Sequence, residues 1–254
     1  MTEFALPAGR LVRRPAFWVA YVVLAIGSLA LAWKLFPVAL PLVNVDISMS
    51  RSDAIEHART LAAKLALAPP GARAAVQFRS DGSAQNPAEL EGGGKDAFAA
   101  LVRGTLYSPY AWDVRLFKVG EVAETTIRFT PGGAPYGFAH RVAETYVHDP
   151  ATKAPPAEAA RRIAETRARD DWGIDFGAWK YLEQSEIVQP SGRADRAFVY
   201  QRDEKLGDAR IRLRLATAGD ELTELSRYVF IPDAFNRRFA ELRSANNTIA
   251  NAAS

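Results

Sequence analysis

The sequence contains no cysteine and only three histidines, and these absences exclude several chemistries. Without cysteine, a disulfide framework, a thiolate zinc site and a cysteine nucleophile are all impossible. His57, His140 and His148 lack the HExxH or any similar spacing, so a histidine-rich metal centre is not expected. The G-x-S-x-G motif of serine hydrolases is also missing. The sequence therefore predicts no catalytic residue, no metal site and no bound cofactor.

The chain lacks an overall charge outside its first segment. Residues 1–34 hold four basic residues against Glu3 alone, so they carry the whole formal net charge of +3. The other residues are balanced between basic and acidic side chains. Because a nucleic-acid-binding surface needs an excess of basic residues, we expect no nucleic acid among the partners. The 48% of hydrophobic residues excludes wholesale disorder but is too low for a polytopic membrane protein.

Long hydrophobic runs are scarce too, and one stands out near the N-terminus. Between Arg14 and Lys34 lie 19 residues without a charge, which as a helix span about 28 Å, close to the hydrocarbon thickness of a bilayer. Aromatic residues stand at both ends of this run, where amphipathic rings favour the membrane interface. The residues that we assign to the anchor and its flanks are Arg13, Arg14, Phe17, Trp18, Tyr21, Trp33 and Lys34.

The orientation of this anchor follows from its charges. A cluster of arginines before an apolar run is the kind of flank that stays in the cytoplasm, so the rest of the chain is predicted to be exported. A cleaved signal peptide is an alternative, because residues 30–32 form an A-x-A-like site, and a buried core helix is another. The preferred prediction is a membrane-anchored protein with a cytoplasmic N-terminus and with the bilayer as one partner.

The exported region shows the same order of elements twice. An amphipathic helix begins at a capping-box pattern at residues 50–53 and ends near Leu67, and strands are predicted at 75–79, 112–117, 124–130 and 136–146. After the boundary at 152–157, a second helix reaches about Arg169, and strands follow at 181–188, 195–201, 209–216 and 221–231. We therefore predict an α+β fold: an N-terminal transmembrane helix and two similar helix-plus-antiparallel-meander units.

This pattern divides the chain into six segments. Pro37 and Pro41 are expected to end the anchor helix and start an extended stalk. The predicted segments are a cytoplasmic N-terminus (1–14), the anchor (15–36), the stalk (37–49), the first unit (50–150), the second unit (155–232) and a C-terminal helix with its tail (233–254). The amphipathic C-terminal helix either docks on the second unit or contacts the membrane surface or a further membrane segment.

Two surfaces are candidates for binding a peptide or a membrane-protein partner. The most aromatic stretch, at 107–112, forms a binding platform if it is exposed and a lid on the core if it is buried. The arginines of the RIRLRL strand lie on one face, which is either a solvated sheet face or a contact surface for acidic groups. The residues of this candidate binding surface are Tyr107, Tyr110, Trp112, Arg210, Arg212 and Arg214.

The glycine run at 92–94 is a candidate phosphate-binding loop. Lys95 follows it, but Asp96 stands where the P-loop needs a serine or threonine for the magnesium ion. No predicted strand directly precedes the run. A flexible entry into a helix at 95–103 is therefore the preferred interpretation.

Several longer segments resemble a known family. They are LEGGGKDAF, LYSPYAWDVRLF, ETTIRFTPGGAPYGF, DRAFVYQRDEKLGDARIRLRL and PDAFNRRFAELRSANNTIA. Together with the single N-terminal anchor they resemble the N-terminal extracytoplasmic region of bacterial CPBP-family (CAAX-protease-like) intramembrane proteases. The helix-plus-meander units also resemble PepSY-type domains.

The resemblance implies an accessory role rather than catalysis. The family's Glu-Glu pair is absent, and the chain has one membrane segment where the family has several, so no catalytic residue is carried over. The expected function is a non-catalytic binding or regulatory region, the accessory part of such a protease, with a metallo or glutamic endopeptidase site only beyond Ser254. The alternatives are a stand-alone single-pass envelope protein with a binding role and a purely structural domain.

Overall fold

The computed structural model describes residues 15–39, 45–69, 71–104, 107–146 and 155–253. It divides into two compact units, residues 1–44 and 45–254. The first unit contains one described helix, α1 (Pro15–Ala39). Pro37 was expected to end this helix, yet it lies within the last turn and the helix ends at Ala39. A proline disturbs the turn that precedes it, so a helix can close within a turn of it.

The second unit is an antiparallel sheet with helices, which confirms the predicted α+β class. Its eight strands follow the order β1-β2-β3-β4-β8-β7-β6-β5. The helices are α2 (Arg51–Lys64), α3 (Gln85–Leu90), α4 (Lys95–Arg103), α5 (Ala157–Trp172) and α6 (Asp233–Ala253). The strands are β1 (Arg73–Ser80), β2 (Tyr110–Phe117), β3 (Glu124–Phe129), β4 (Pro135–Arg141), β5 (Lys180–Val188), β6 (Ala194–Leu206), β7 (Ala209–Ala218) and β8 (Glu221–Phe230).

The sheet consists of two four-stranded meanders, which we name the first half (α2 and β1–β4) and the second half (α5 and β5–β8). They join where β4 pairs with β8, through Phe138 opposite Leu225. At this seam the backbones approach closely, because a Cβ on Gly137 would stand 2.4 Å from the carbonyl oxygen of Leu225. Two predicted strand ends were wrong: β4 stops at Arg141 rather than 146, and β6 continues to Leu206 rather than 201.

One row of directly paired residues runs across all eight strands on the helix-covered face. Every member is apolar except the last, which lies on the edge strand β5. The row is Val76, Val114, Ile127, Phe138, Leu225, Leu215, Phe198 and Gln184. Burial of this row between the sheet and the helices forms the main core.

Helices α2 and α5 cover this face with alanine stripes at matching spacing. The buried stripe of α2 is Ala54, Ala58 and Ala62, and that of α5 is Ala160, Ala164 and Ala168. Small side chains at i, i+4 and i+8 let a helix lie close to the sheet. Helix α2 packs on β1–β3, and α5 packs on β4 and β6–β8. Ser50 caps α2 with the predicted capping box: its hydroxyl oxygen accepts a hydrogen bond from the backbone N–H of Asp53, and its own backbone N–H donates to the Asp53 carboxylate.

Helices α3 and α4 form a second, smaller core with the end of the second half. Phe98 and Leu101 pack there with Tyr107, Ile211 and Val229. The short helix α3 was not predicted from the sequence. This insertion between β1 and β2 therefore binds the first half to the second half at the end of the sheet where β6 and β7 turn.

Candidate functional site

The anchor residues lie along α1. The ring of Trp18 contacts those of Phe17 and Tyr21 in edge arrangements, with centroids 5.7 and 6.0 Å apart. Trp33 is exposed near the opposite end of the helix, as is Lys34. Among the described residues, Pro15–Phe36 is the one helix long and apolar enough to cross a membrane, with a mean hydropathy of 2.0. This helix fits a membrane anchor or a signal sequence. The predicted Arg13 and Arg14 lie outside the described residues.

The aromatic stretch is not an exposed platform. Tyr107 is 1% exposed and donates a hydrogen bond from its hydroxyl to Asp81 Oδ2 at 2.5 Å. Tyr110 is buried with its ring stacked on Phe78, and Trp112 contacts Phe78 edge-on at 5.0 Å. Of the two alternatives for this stretch, an exposed platform or a buried lid, the structure shows the lid on the core. The physical reason is that 110 and 112 share the helix-covered face of β2 with the core row.

Asp81 is the polar partner of this buried group. Burial raises the pKa of Tyr107, and the hydrogen bond to Asp81 raises it further. For Asp81, burial acts to raise the pKa, but hydrogen bonds from Tyr107 and Ser83 outweigh it and hold the pKa below its ordinary value. The pair is thus an ionised carboxylate held by a neutral phenol, which fixes the end of β1 against the chain before β2.

The three arginines of β7 lie side by side on the face opposite the main core, and each has a partner in the same sheet. Arg210 donates to the carbonyl oxygens of Gly207 and Ala209 at 2.9 and 2.8 Å. The guanidinium of Arg212 lies 3.6 Å from the ring centroid of Phe230, and Arg214 Nε lies 3.2 Å from Glu224 Oε2. Binding of an acidic partner by these arginines stays a prediction, and it would compete with these local contacts.

The glycine run at 92–94 leads into α4 as predicted. Glu91, the residue before this run, is held by an ion pair with α6. Glu91 accepts a hydrogen bond from Arg238 of α6 at 2.5 Å, and Asp208 accepts another from the same guanidinium at 2.7 Å. Gly207 allows this approach, since a Cβ there would lie 2.4 Å from the Cβ of Glu91. The loop therefore belongs to a structural contact between α4, the β6–β7 turn and α6.

The C-terminal helix α6 docks through its first two turns. Phe235 is buried and stacks on Phe239, while Arg238 makes the two ion pairs just described. Further along, Leu242 is 56% exposed. The start of the helix is thus docked through ion pairs with Glu91, in the predicted first unit, and Asp208, in the predicted second unit.

The described histidines do not form a metal site. His57 is exposed on α2, and His140 shares a 2.7 Å hydrogen bond with Thr125 Oγ1. Thr125 also donates to the carbonyl oxygen of Leu67. Within the described ranges, no group of three or more histidine, aspartate or glutamate side chains is placed to hold a metal ion. His148 lies outside those ranges.

The feature that sequence analysis missed is the edge of the sheet. Strand β5 was predicted at nearly its true position, but its place at an edge depends on long-range pairing. All nine of its residues are exposed, in contrast to β1 at the other edge, where alternate residues are half-buried. Apolar side chains stand at both ends of β5: Tyr181, Leu182, Ile187 and Val188.

Comparisons with known proteins add little to this geometry. No family model matches the chain, and no curated protein matches it. A solved structure, the Bacillus megaterium YpeB C-terminal domain, is similar to 70% of this chain at 13% sequence identity and a TM-score of 0.36. The match spans 62% of the length of that structure. A similarity at this level does not establish a shared function, and the resemblance to CPBP-family proteases has no support among these comparisons.

Proposed function

We propose that the chain is a membrane-anchored, non-catalytic binding module that holds an extended segment of a partner protein along β5. The observation that carries the proposal is the exposure of all nine residues of this edge strand. The module needs no catalytic group. Its anchor fixes it to the membrane, and its sheet offers a template for one more strand.

The chemistry of the edge suits an extended peptide. An edge strand presents unpaired backbone N–H and C=O groups, and a peptide that adds a strand satisfies them. Ile187 is 66% exposed, and Val188 is equally accessible, so burial of these two against a peptide would add an apolar contribution. Glu183 is exposed at the centre of the strand, and it favours a basic residue in the bound segment.

The first experiment identifies the bound sequence without a known partner. A random twelve-residue peptide library is selected against the full chain in lipid nanodiscs, and hydrogen exchange then locates the selected peptides. The expected result is added protection of β5 amides. Ile187→Lys is expected to weaken binding at least tenfold, because a lysine on an edge opposes strand addition.

A matched control is available on the β2–β3 loop. Val122 is 58% exposed, so Val122→Lys introduces the same charge at a similarly accessible apolar position away from the edge. This variant is expected to bind the selected peptides as the parent chain does. Protection that appears elsewhere, or equal losses in the two variants, would rule out the edge as the binding site.

The membrane part of the proposal places α1 in the bacterial inner membrane with its N-terminus in the cytoplasm. Leu24 lies in the middle of the helix and is exposed. Leu24→Arg is expected to release the chain from carbonate-washed membranes, because a central arginine costs about 3 kcal/mol on insertion scales. Intact-protein mass spectrometry distinguishes the alternatives, since cleavage after Ala32 would remove the helix and the membrane attachment together. The cysteine-free sequence also allows a single cysteine at Ser185 to report which side of the membrane carries the sheet.

The role as an accessory part of an intramembrane protease stays a prediction. Its direct test is the coding DNA past codon 254. Continuation into several apolar spans with a Glu-Glu pair and histidines would support it. A stop codon there would leave the stand-alone module.

A further inference from the structure

The loops that lead from each helix to the first strand of its half can be compared position by position when they are counted back from that strand. A residue with a positive φ follows each helix, Ala66 at 54° after α2 and Gly173 at 67° after α5. Leu67 and Ile174 follow these two residues, and each stands six positions before the first strand of its half. Both are buried aliphatic residues. The two loops therefore match in position from the positive-φ residue to the first strand.

The second half fills the space under its loop with aromatic rings. Phe176 contacts Tyr200 with ring centroids 5.2 Å apart, and Trp179 packs against the main core just before β5. Arg169 and Arg202 lie over the outer faces of these rings, at 5.7 and 5.4 Å. The space between helix, loop and sheet is thus occupied by this chain's own side chains.

The first half leaves the corresponding space open. Pro69 stands where the second half has Phe176, and Ala72 stands where it has Trp179. A cavity of about 620 Å³ lies there, within the range of ligand pockets. Apolar groups make up most of its walls: Ala62, Ala63, Ala66, Ala68, Pro69, Gly71, Ala72 and Leu116.

One cation lines this apolar cavity. Arg59 follows Ala58 of the α2 stripe, as Glu165 follows Ala164 of α5. Glu165 is satisfied by the hydroxyl of Tyr200 and by Arg161, both at 2.8 Å. Arg59 is exposed, and within the part of the chain that the structure describes it makes no ion pair or side-chain hydrogen bond. The first half thus combines an unfilled apolar cavity with a cation at its wall.

We propose that this cavity binds a straight-chain aliphatic carboxylate, with the alkyl chain against the alanines and the carboxylate on Arg59. Burial of methylene groups supplies the affinity, and a charge-assisted hydrogen bond to the guanidinium fixes the orientation. The site is separate from β5 and does not depend on the binding of a peptide there.

The test uses sodium octanoate as the probe and the full chain in nanodiscs. Alanine methyl groups labelled with carbon-13 report directly on the cavity, because five alanines line it. The expected result is saturable shifts of these methyl signals, with no shift at the α5 stripe. Arg59→Gln is expected to weaken octanoate binding about fivefold and to leave binding of neutral 1-octanol unchanged.

A filling variant copies the second half. Ala72→Trp is expected to abolish the octanoate shifts, whereas Ala75→Trp, on the opposite face of β1, is expected to leave them unchanged. Ala63→Leu fills the same cavity with a smaller side chain and is also expected to abolish the octanoate shifts. It replaces the tryptophan variant in the test if that variant does not fold. The proposal is overturned if octanoate shifts no cavity methyl, if both filling variants still bind it, or if octanoate and octanol respond equally to Arg59→Gln.

Discussion

Trp172 of α5 stacks on Phe138 of β4, with ring centroids 4.7 Å apart and planes 8° from parallel. The contact joins the helix of the second half to the last strand of the first half. Both rings belong to the main core, so this core crosses the seam between the two meanders. The two halves therefore share one core and are expected to unfold together.

Trp172→Ala tests this coupling. Removal of the buried indole is expected to lower the free energy of unfolding by about 3 kcal/mol, because it leaves a cavity across the seam. Urea unfolding of the full chain in detergent, followed by circular dichroism, should remain a single transition with a lower midpoint. Trp33→Ala, on the exposed α1, is the control and should not move the midpoint. Two separated transitions in the parent chain would contradict the shared core.

The helix ends predict a pair of opposite effects. Ala66 adopts a positive φ that favours glycine, and Gly173 occupies the matching position with open space around its Cα. Ala66→Gly is expected to stabilise the fold by about 1 kcal/mol, and Gly173→Ala to destabilise it by about the same amount. Thermal melts of both variants measure this. Melting temperatures that shift in the same direction in both variants would show that the φ angle does not govern the change in stability.

The seam predicts a sharp intolerance at Gly137. A Cβ there meets the carbonyl oxygen of Leu225, which is backbone and has no rotamer to change. Gly137→Ala is expected to cost more than about 2 kcal/mol, because β4 and β8 must separate. Gly82→Ala, where nothing lies within 4 Å, is the control and should be nearly neutral. Denaturant midpoints of the two variants make the comparison.

His140 predicts a loss of stability in mild acid. Burial lowers its pKa from the ordinary 6.5, and the nearby charge of Glu221 opposes this only in part. The unfolded chain therefore binds the proton more readily than the folded chain. The contribution of neutral His140 is present in full above about pH 6.5, and it declines as the pH falls through the lower folded pKa.

The measurement is the urea midpoint at pH 7.5 and at pH 5. His140→Gln should reduce the difference between the two values, because glutamine keeps a polar group near Thr125 and does not titrate. His57→Gln, on the exposed side of α2, should retain the difference. An unchanged pH dependence in the His140 variant would assign the effect to other groups.

Local patterns predicted most elements, because their signals are short-range. The alternation of arginine with Ile211, Leu213 and Leu215 predicted β7, and the capping box at Ser50 predicted the start of α2. The division into 50–150 and 155–232 stays a prediction, since residues 147–154 lie outside the described part of the chain.

The candidate site depended on contacts that sequence spacing does not contain. Tyr107 is buried because α3, α4 and the sheet meet there, and Tyr110 is buried on β2 beside Phe78. The edge position of β5 follows from the pairing of Phe138 with Leu225, residues far apart in the chain. The cavity beside Arg59 becomes apparent only when the two loops are compared in space.

The seam also sets an order of events during synthesis. The first half emerges from the ribosome with β4 as a free strand, because its partner β8 is the last strand of the sheet to be made. Until Leu225 has been added, the face of Phe138 that Trp172 and Leu225 later cover is open to other chains. While translation continues past the first half, β4 is therefore open to pairing with a strand of a neighbouring chain, and this exposure ends when the chain's own last strand is made.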